Sequence, residues 1–129
     1  WQYGVEIRNE SFLHPDYFAA LGRHGVAHVF NNWTRMPPVS AQMEMPGAFA
    51  TEGFGARFLL TPGRKYQEAV DAFQPYRETK EVDEDARAAG SALMSRVPRG
   101  RSYLYVNNRL EGNAIRTIMA MIDGMKGEA

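Results

Sequence analysis

The chain has 129 residues, fifteen basic and fifteen acidic side chains, 44% apolar and 23% charged residues. These figures suit one soluble globular domain with a real core, and the cancelled charge leaves no net field to favour nucleic acid or an anionic membrane. The chain has no cysteine, so there is no disulfide framework and no thiolate metal site, as expected of a cytoplasmic protein, and no apolar run approaches the roughly 20 residues that span a bilayer. The chain opens at Trp1 with no basic-then-apolar leader and runs at once into strand-like sequence, which reads as a piece of a longer protein.

Residues 3 to 8 alternate apolar with small or charged side chains, the period of a strand. His14 and Pro15 open a helix, Tyr17, Phe18 and Leu21 mark its apolar face, and Gly25 ends it. Val26 to Phe30 is the next strand and runs into Asn31-Asn32-Trp33. Pro37-Pro38 and Pro46-Gly47 bracket a short helical turn around Ala41 to Glu44. Ala56 to Leu60 is a third strand, closed by Pro62-Gly63. Tyr66, Ala69, Val70 and Phe73 then fall at helical spacing until Pro75. Asp83 caps the next helix, whose stripe is Ala86, Ala89, Leu93, Met94 and Val97 before Pro98. Tyr103 to Asn107 is the fourth strand, and Ala114, Ile115, Ile118, Met121, Ile122 and Met125 line the last helix, with a frayed tail from Lys126.

Strands alternating with helices predict an α/β architecture of parallel βα units. A closed (β/α)₈ barrel takes about 250 residues, so this chain supplies about half of one. The fourth strand ends in Asn107, Asn108, Arg109, Glu111 and Gly112 before a helix begins at Ala114, and such folds place ligand-binding groups at that end of a strand. The run from Tyr103 to Ala114 resembles the last strand-and-loop signature of the YecE-like family, domain of unknown function 72. Ile7-Arg8-Asn9 after a strand, Arg57 within one, and Thr61-Pro62-Gly63-Arg64-Lys65-Tyr66 are similar to the same family. The resemblance covers essentially the whole chain and matches the C-terminal half of the family domain. It implies a TIM-like (β/α) barrel whose N-terminal half is absent, with residues 1–125 as the partial domain and 126–129 as the tail.

In a barrel, Val5 and Ile7 should face the helices, leaving Glu6 and Arg8 directed inward near the mouth. Arg57 interrupts an apolar strand and needs a carboxylate, an anion or water, with Glu6 as its natural partner. That pair reads equally as a strand-orienting ion pair and as part of a site. Tyr103, Tyr105 and Asn107 share the inward face of the fourth strand, and Leu104 and Val106 share the other. Arg64 and Lys65 open a helix after a glycine, which reads as an anion site or a solvated basic turn, without Walker spacing. Trp33 is a stacking platform at the mouth or a loop anchor. Of the histidines, His14 caps a helix, His24 sits at a helix end and His28 approaches the barrel axis, where it reads as a satisfied core histidine rather than a ligand. None has metal-ligand spacing.

Two functional readings follow. In the first, the protein is an enzyme acting on a small polar or anionic metabolite at the C-terminal mouth of the barrel. Glu6 is its general acid or base, Arg8, Arg57 and Arg64 meet anionic groups, and Tyr105, Asn107, Asn108 and Arg109 complete the binding set. In the second, the domain is a non-catalytic binding or interaction module. Neither reading calls for a metal or cofactor. Arg96, Arg99 and Arg101 form too small a basic cluster for nucleic acid, and open sheet edges are expected to favour self-association.

Overall fold

Strands β1 (Gly4–Val5), β2 (Ala27–Asn32), β3 (Phe54–Phe58) and β4 (Ser102–Val106) pair in chain order, and every pairing is parallel. The helices are α1 (Pro15–Arg23), α2 (Val39–Met43), α3 (Tyr66–Phe73), α4 (Glu84–Ser95), α5 (Asn108–Glu111) and α6 (Ala114–Lys126). The computed structural model describes residues 1–96 and 100–127. Val97, Pro98 and Arg99, and the end of the expected tail at 128–129, lie outside the described residues. Four parallel βα units in sequential order form half of a TIM-like (β/α) barrel.

Helix starts are set by local chemistry. His14 Nδ1 accepts the Asp16 amide proton at 3.1 Å, with Pro15 at the first helical position of α1. Asp83 accepts from the Ala86 amide at 2.9 Å to open α4, and Asn113 accepts from Arg116 at 3.0 Å to open α6. Gly25 follows α1 at φ +63°, a conformation that suits a residue without Cβ.

Alternation along the strands sorts the side chains into two faces. Phe30, Phe54, Ala56 and Phe58 join Phe18, Val39, Ala86, Ala89, Leu93, Leu110 and Met121 in one core under the helices, with Leu104 and Val106 packed against it. Removing one such large apolar side chain from water is worth about 1.5–3 kcal/mol. The opposite face carries Val29, Gly55, Arg57, Tyr103 and Tyr105 around an open depression of about 470 Å³.

Three expectations need correction. The third strand lies two residues earlier than Ala56–Leu60. A Cβ at Gly53 would strike the Arg101 carbonyl, so the start of β3 closes on the chain entering β4. Leu59 and Leu60 instead both donate to the Asn32 carbonyl, at 3.3 and 3.1 Å, as the chain leaves the ladder. Val5 is not packed under a helix and stays 37% exposed, because Tyr17 and Phe18 of α1 stack on His28 of β2. Third, the segment read as a loop after β4 contains the one-turn helix α5, capped by Asn107.

α5 brings Glu111 into the interior with no exposed surface. Its carboxylate accepts from Arg87 Nε at 2.8 Å, the Asp83 amide at 2.7 Å and the Thr117 hydroxyl at 2.7 Å. The next residue, Gly112, adopts φ +121°, and a Cβ there would collide with the Glu78 carbonyl. Glu111→Leu leaves Arg87 without its carboxylate and should lower unfolding stability by about 3–5 kcal/mol. Urea unfolding reads this as a lower midpoint at unchanged slope.

β1 and β4 are the sheet edges, and Tyr103 and Tyr105 on the open face are 48% and 58% exposed. Unpaired edges and an aromatic open face favour pairing between copies. In light scattering the 129-residue chain should dimerise or precipitate rather than run as a compact monomer. A monodisperse monomer with one steep urea transition would overturn this expectation.

Candidate functional site

Glu6 lies one residue beyond β1 and meets Arg57 from the penultimate position of β3. Arg57 Nη1 donates to both Glu6 carboxylate oxygens, at 3.2 and 3.0 Å, and Arg8 Nε donates to Oε2 at 3.2 Å. The carboxylate is the inner member of the group, with its side chain 16% exposed against 43% for Arg57 and 41% for Arg8. Each guanidinium carries five N–H donors, so both arginines keep donors that Glu6 does not take. Two cations on one carboxylate also leave a formal charge of one in excess. The Arg8 guanidinium lies 4.1 Å from the centre of the Trp33 ring, and Trp33 rests on Leu60, Ala69 and Phe73. Trp33 is therefore a loop anchor whose face is already taken by Arg8, a cation–π arrangement that holds the guanidinium plane in place.

Register puts Asn31 and Tyr105 on either side of Arg57. Asn31 is fully buried, and its amide nitrogen donates to the Ile7 carbonyl at 3.0 Å, tying β2 to the chain leaving β1. Its Oδ1 is buried and has no hydrogen-bond partner. Such an orphan acceptor is costly and uncommon. The sequence reading passed over Asn31, although its parity with Val29 already placed it on the Arg57 side of the strand.

A second depression, of about 600 Å³, opens at the carboxyl ends of β1, β2 and β3, between Arg8 and Asn9, Thr34 and Arg35, and Pro62 and Gly63. Ligands of βα-barrel proteins bind at this end of the strands.

The other expected site residues do not converge on Glu6. Arg64 pairs with Glu81 at 2.6 Å and packs 4.9 Å from the Phe73 ring centre, which occupies its charge and much of its surface. The Lys65 amide meets Glu68 at 3.5 Å, so the start of α3 already has an anion of its own. Asn107 and Asn108 act as caps, accepting from the amides of Arg109 and Ala114 at 2.9 and 2.8 Å. Arg109 lies over Tyr66, 4.6 Å from its ring centre. What the structure brings together is Glu6, Arg8 and Arg57, with Tyr105 beside Arg57.

His28 is the satisfied core histidine expected of it, and only its direction is corrected. It shares the parity of Phe30, so it points under the helices and away from the barrel axis. It is 1% exposed, with Tyr17 Oη 2.9 Å from Nδ1 and Gln42 Oε1 3.1 Å from Nε2. Gln42 Nε2 donates to the carbonyls of Asn31 and Pro37 at 2.7 and 2.8 Å, so its Oε1 must accept. The proton of a neutral His28 therefore sits on Nε2, and Nδ1 accepts from the Tyr17 hydroxyl. Burial holds the imidazole below its ordinary 6.5, against the opposing pull of Gln42 and the Glu6 charge. Burial likewise pushes the Tyr17 hydroxyl up to about 12.

A depressed histidine pKa in the folded chain means that the unfolded chain protonates first as pH falls. Stability should therefore be complete above 6.5 and decline below it until the lower folded value is reached. Urea midpoints measured between pH 7.5 and 5 should show this slope, and His28→Gln should flatten it.

Parallel βα units with a charged cluster at their carboxyl ends define this molecule as half of a TIM-like barrel. The chain belongs to the family described as "Protein of unknown function DUF72", whose model matches residues 1–129. Among solved structures, it is similar to a DUF72 family protein from Thermotoga maritima at 18% identity and TM-score 0.60, covering 100% of this chain and 47% of that one. It is also similar to a DUF72 family protein from Enterococcus faecalis at 14% identity and TM-score 0.61, covering 97% of this chain and 47% of that one. The chain thus spans about half the length of these relatives. No curated protein matches it. Among the described residues, no helix is long and apolar enough to cross a membrane.

Proposed function

We propose that the carboxyl mouth of the sheet binds a small polar or anionic metabolite at the cluster of Glu6, Arg8 and Arg57. The observation that carries this reading is the convergence of two partly exposed guanidiniums on one carboxylate, each retaining donors for a ligand. Arg57 and Arg8 hold the anionic group, and Tyr105, next to Arg57 in register, orients the rest of the molecule. Arg64, Asn107, Asn108 and Arg109 shape the surrounding loops. If the protein is an enzyme, Glu6 is the general acid or base, since it is the carboxylate on which both arginines converge.

The second reading is a binding module without turnover. It is favoured by the same geometry: a carboxylate taken up by two arginines is well suited to hold β1 and β3 in register. Co-crystallisation with a metabolite library should place ligand density against Arg57 and Arg8. Loss of a charge-assisted contact in Arg57→Gln should weaken the ligand about tenfold or more. For an identified ligand that turns over, Glu6→Gln should abolish turnover while sparing binding, whereas a ligand that binds without reacting selects the module. Density confined to another surface would reject both.

A further inference from the structure

The carboxyl-end depression holds a second arginine that the ion-pair cluster does not use. Its walls are Arg8, Asn9, Glu10, Thr34, Arg35 and Gly63, drawn from the loops after β1, β2 and β3. Trp33 to Met36 is a tight turn, with the Met36 amide donating to the Trp33 carbonyl at 3.0 Å and the Met36 side chain buried at 3% exposure. An inward Met36 leaves Arg35 turned outward, and among the described residues Arg35 has no carboxylate partner. The wall behind it is braced. The Gly63 amide donates to the Thr34 carbonyl at 2.9 Å, and the Thr34 hydroxyl donates to the Arg64 carbonyl at 2.6 Å. Across the depression, Arg8 is held by Glu6 at its Nε and by the Trp33 face, so its terminal nitrogens remain for a ligand. Asn9 holds its own loop closed, with Oδ1 accepting from the Ser11 amide and hydroxyl at 3.0 and 2.7 Å.

We infer that Arg8 and Arg35 form an oxyanion subsite, which takes the carboxylate or phosphate group of the small molecule bound at the mouth. The inference rests on the proposed ligand site and names its substrate class. Guanidinium forks recognise both oxyanions through paired charge-assisted hydrogen bonds. Glu10, on the rim of the same depression, suits a hydrogen-bond donor beside the oxyanion, and the remainder of the molecule, which meets Arg57, is neutral or anionic. A volume of about 600 Å³ has room for a metabolite rather than a lone ion. The molecule extends from the subsite towards Arg57 and Tyr105, and Arg8 is the residue common to both ends.

The test is nitrogen–proton NMR of the full-length protein, following arginine Nε–H and backbone amide signals while inorganic phosphate or acetate is added. Saturable shifts at Arg8, Arg35 and Gly63, weakened about tenfold by Arg35→Gln, support the subsite. Saturation by phosphate alone, or by acetate alone, supports it and assigns the anion. Arg35 is exposed, so the variant should retain the dispersed spectrum of the parent. If Arg35→Gln leaves the affinity unchanged and Arg57→Gln removes it, the subsite is overturned while the ligand reading stands. If neither anion gives a saturable shift anywhere, both fall.

Discussion

The buried carboxylate of Glu111 constrains the later half of the chain more than any other single group. With no exposed surface, it loses its hydration entirely, and that loss is offset only where each oxygen finds donors. The donors come from three places: Arg87 on α4, the amide of Asp83 ahead of α4, and Thr117 on α6. The backbone carbonyl of the same residue accepts from Lys80 and Glu81 at 2.7 and 3.2 Å. Asp83 in turn caps α4 and accepts the Thr61 hydroxyl at 2.7 Å, just beyond β3. One charge thereby sets where α4 begins, where α6 packs and how the loop after β3 is held.

Glu6 is the instructive contrast. Both glutamates meet arginine, but Glu111 is enclosed by helices and every partner belongs to the scaffold. Glu6 sits at the end of a two-residue edge strand, and its arginines remain more than 40% exposed. A charge pair that faces outward keeps donors for something else, whereas an enclosed pair is spent on the fold. The same distinction separates Arg64 from Arg35. Arg64 is taken by Glu81 and Phe73, while Arg35 projects from a turn anchored by Met36.

Much of the architecture was legible because it rests on short-range rules. Proline before Asp16, the aspartate at position 83 and the apolar spacing from Tyr66 to Phe73 each act over a turn or less, and all three mark helices that the structure contains. The Glu6–Arg57 pairing was also readable, because an arginine inside an apolar strand demands a partner. Strict parity would have settled His28, which alternates with Val29 and must share the helix-covered face with Phe30. The short helix α5 left a weaker signal, since Asn107 and Asn108 suit turns and caps alike.

By itself, then, the sequence determined the kind and order of the elements, the family, and the types of residue brought to the carboxyl ends of the strands. Local propensity and alternation act within a few residues, so they survive without knowledge of distant contacts. Only the tertiary structure decided which charges are spent and which are free. That outcome depends on what chain remote in sequence delivers to each group: Glu81 to Arg64, Tyr66 to Arg109, Thr117 and Arg87 to Glu111. Desolvation and pairing are properties of the assembled neighbourhood, so the same residue type becomes a brace in one loop and a solvent-facing group in another.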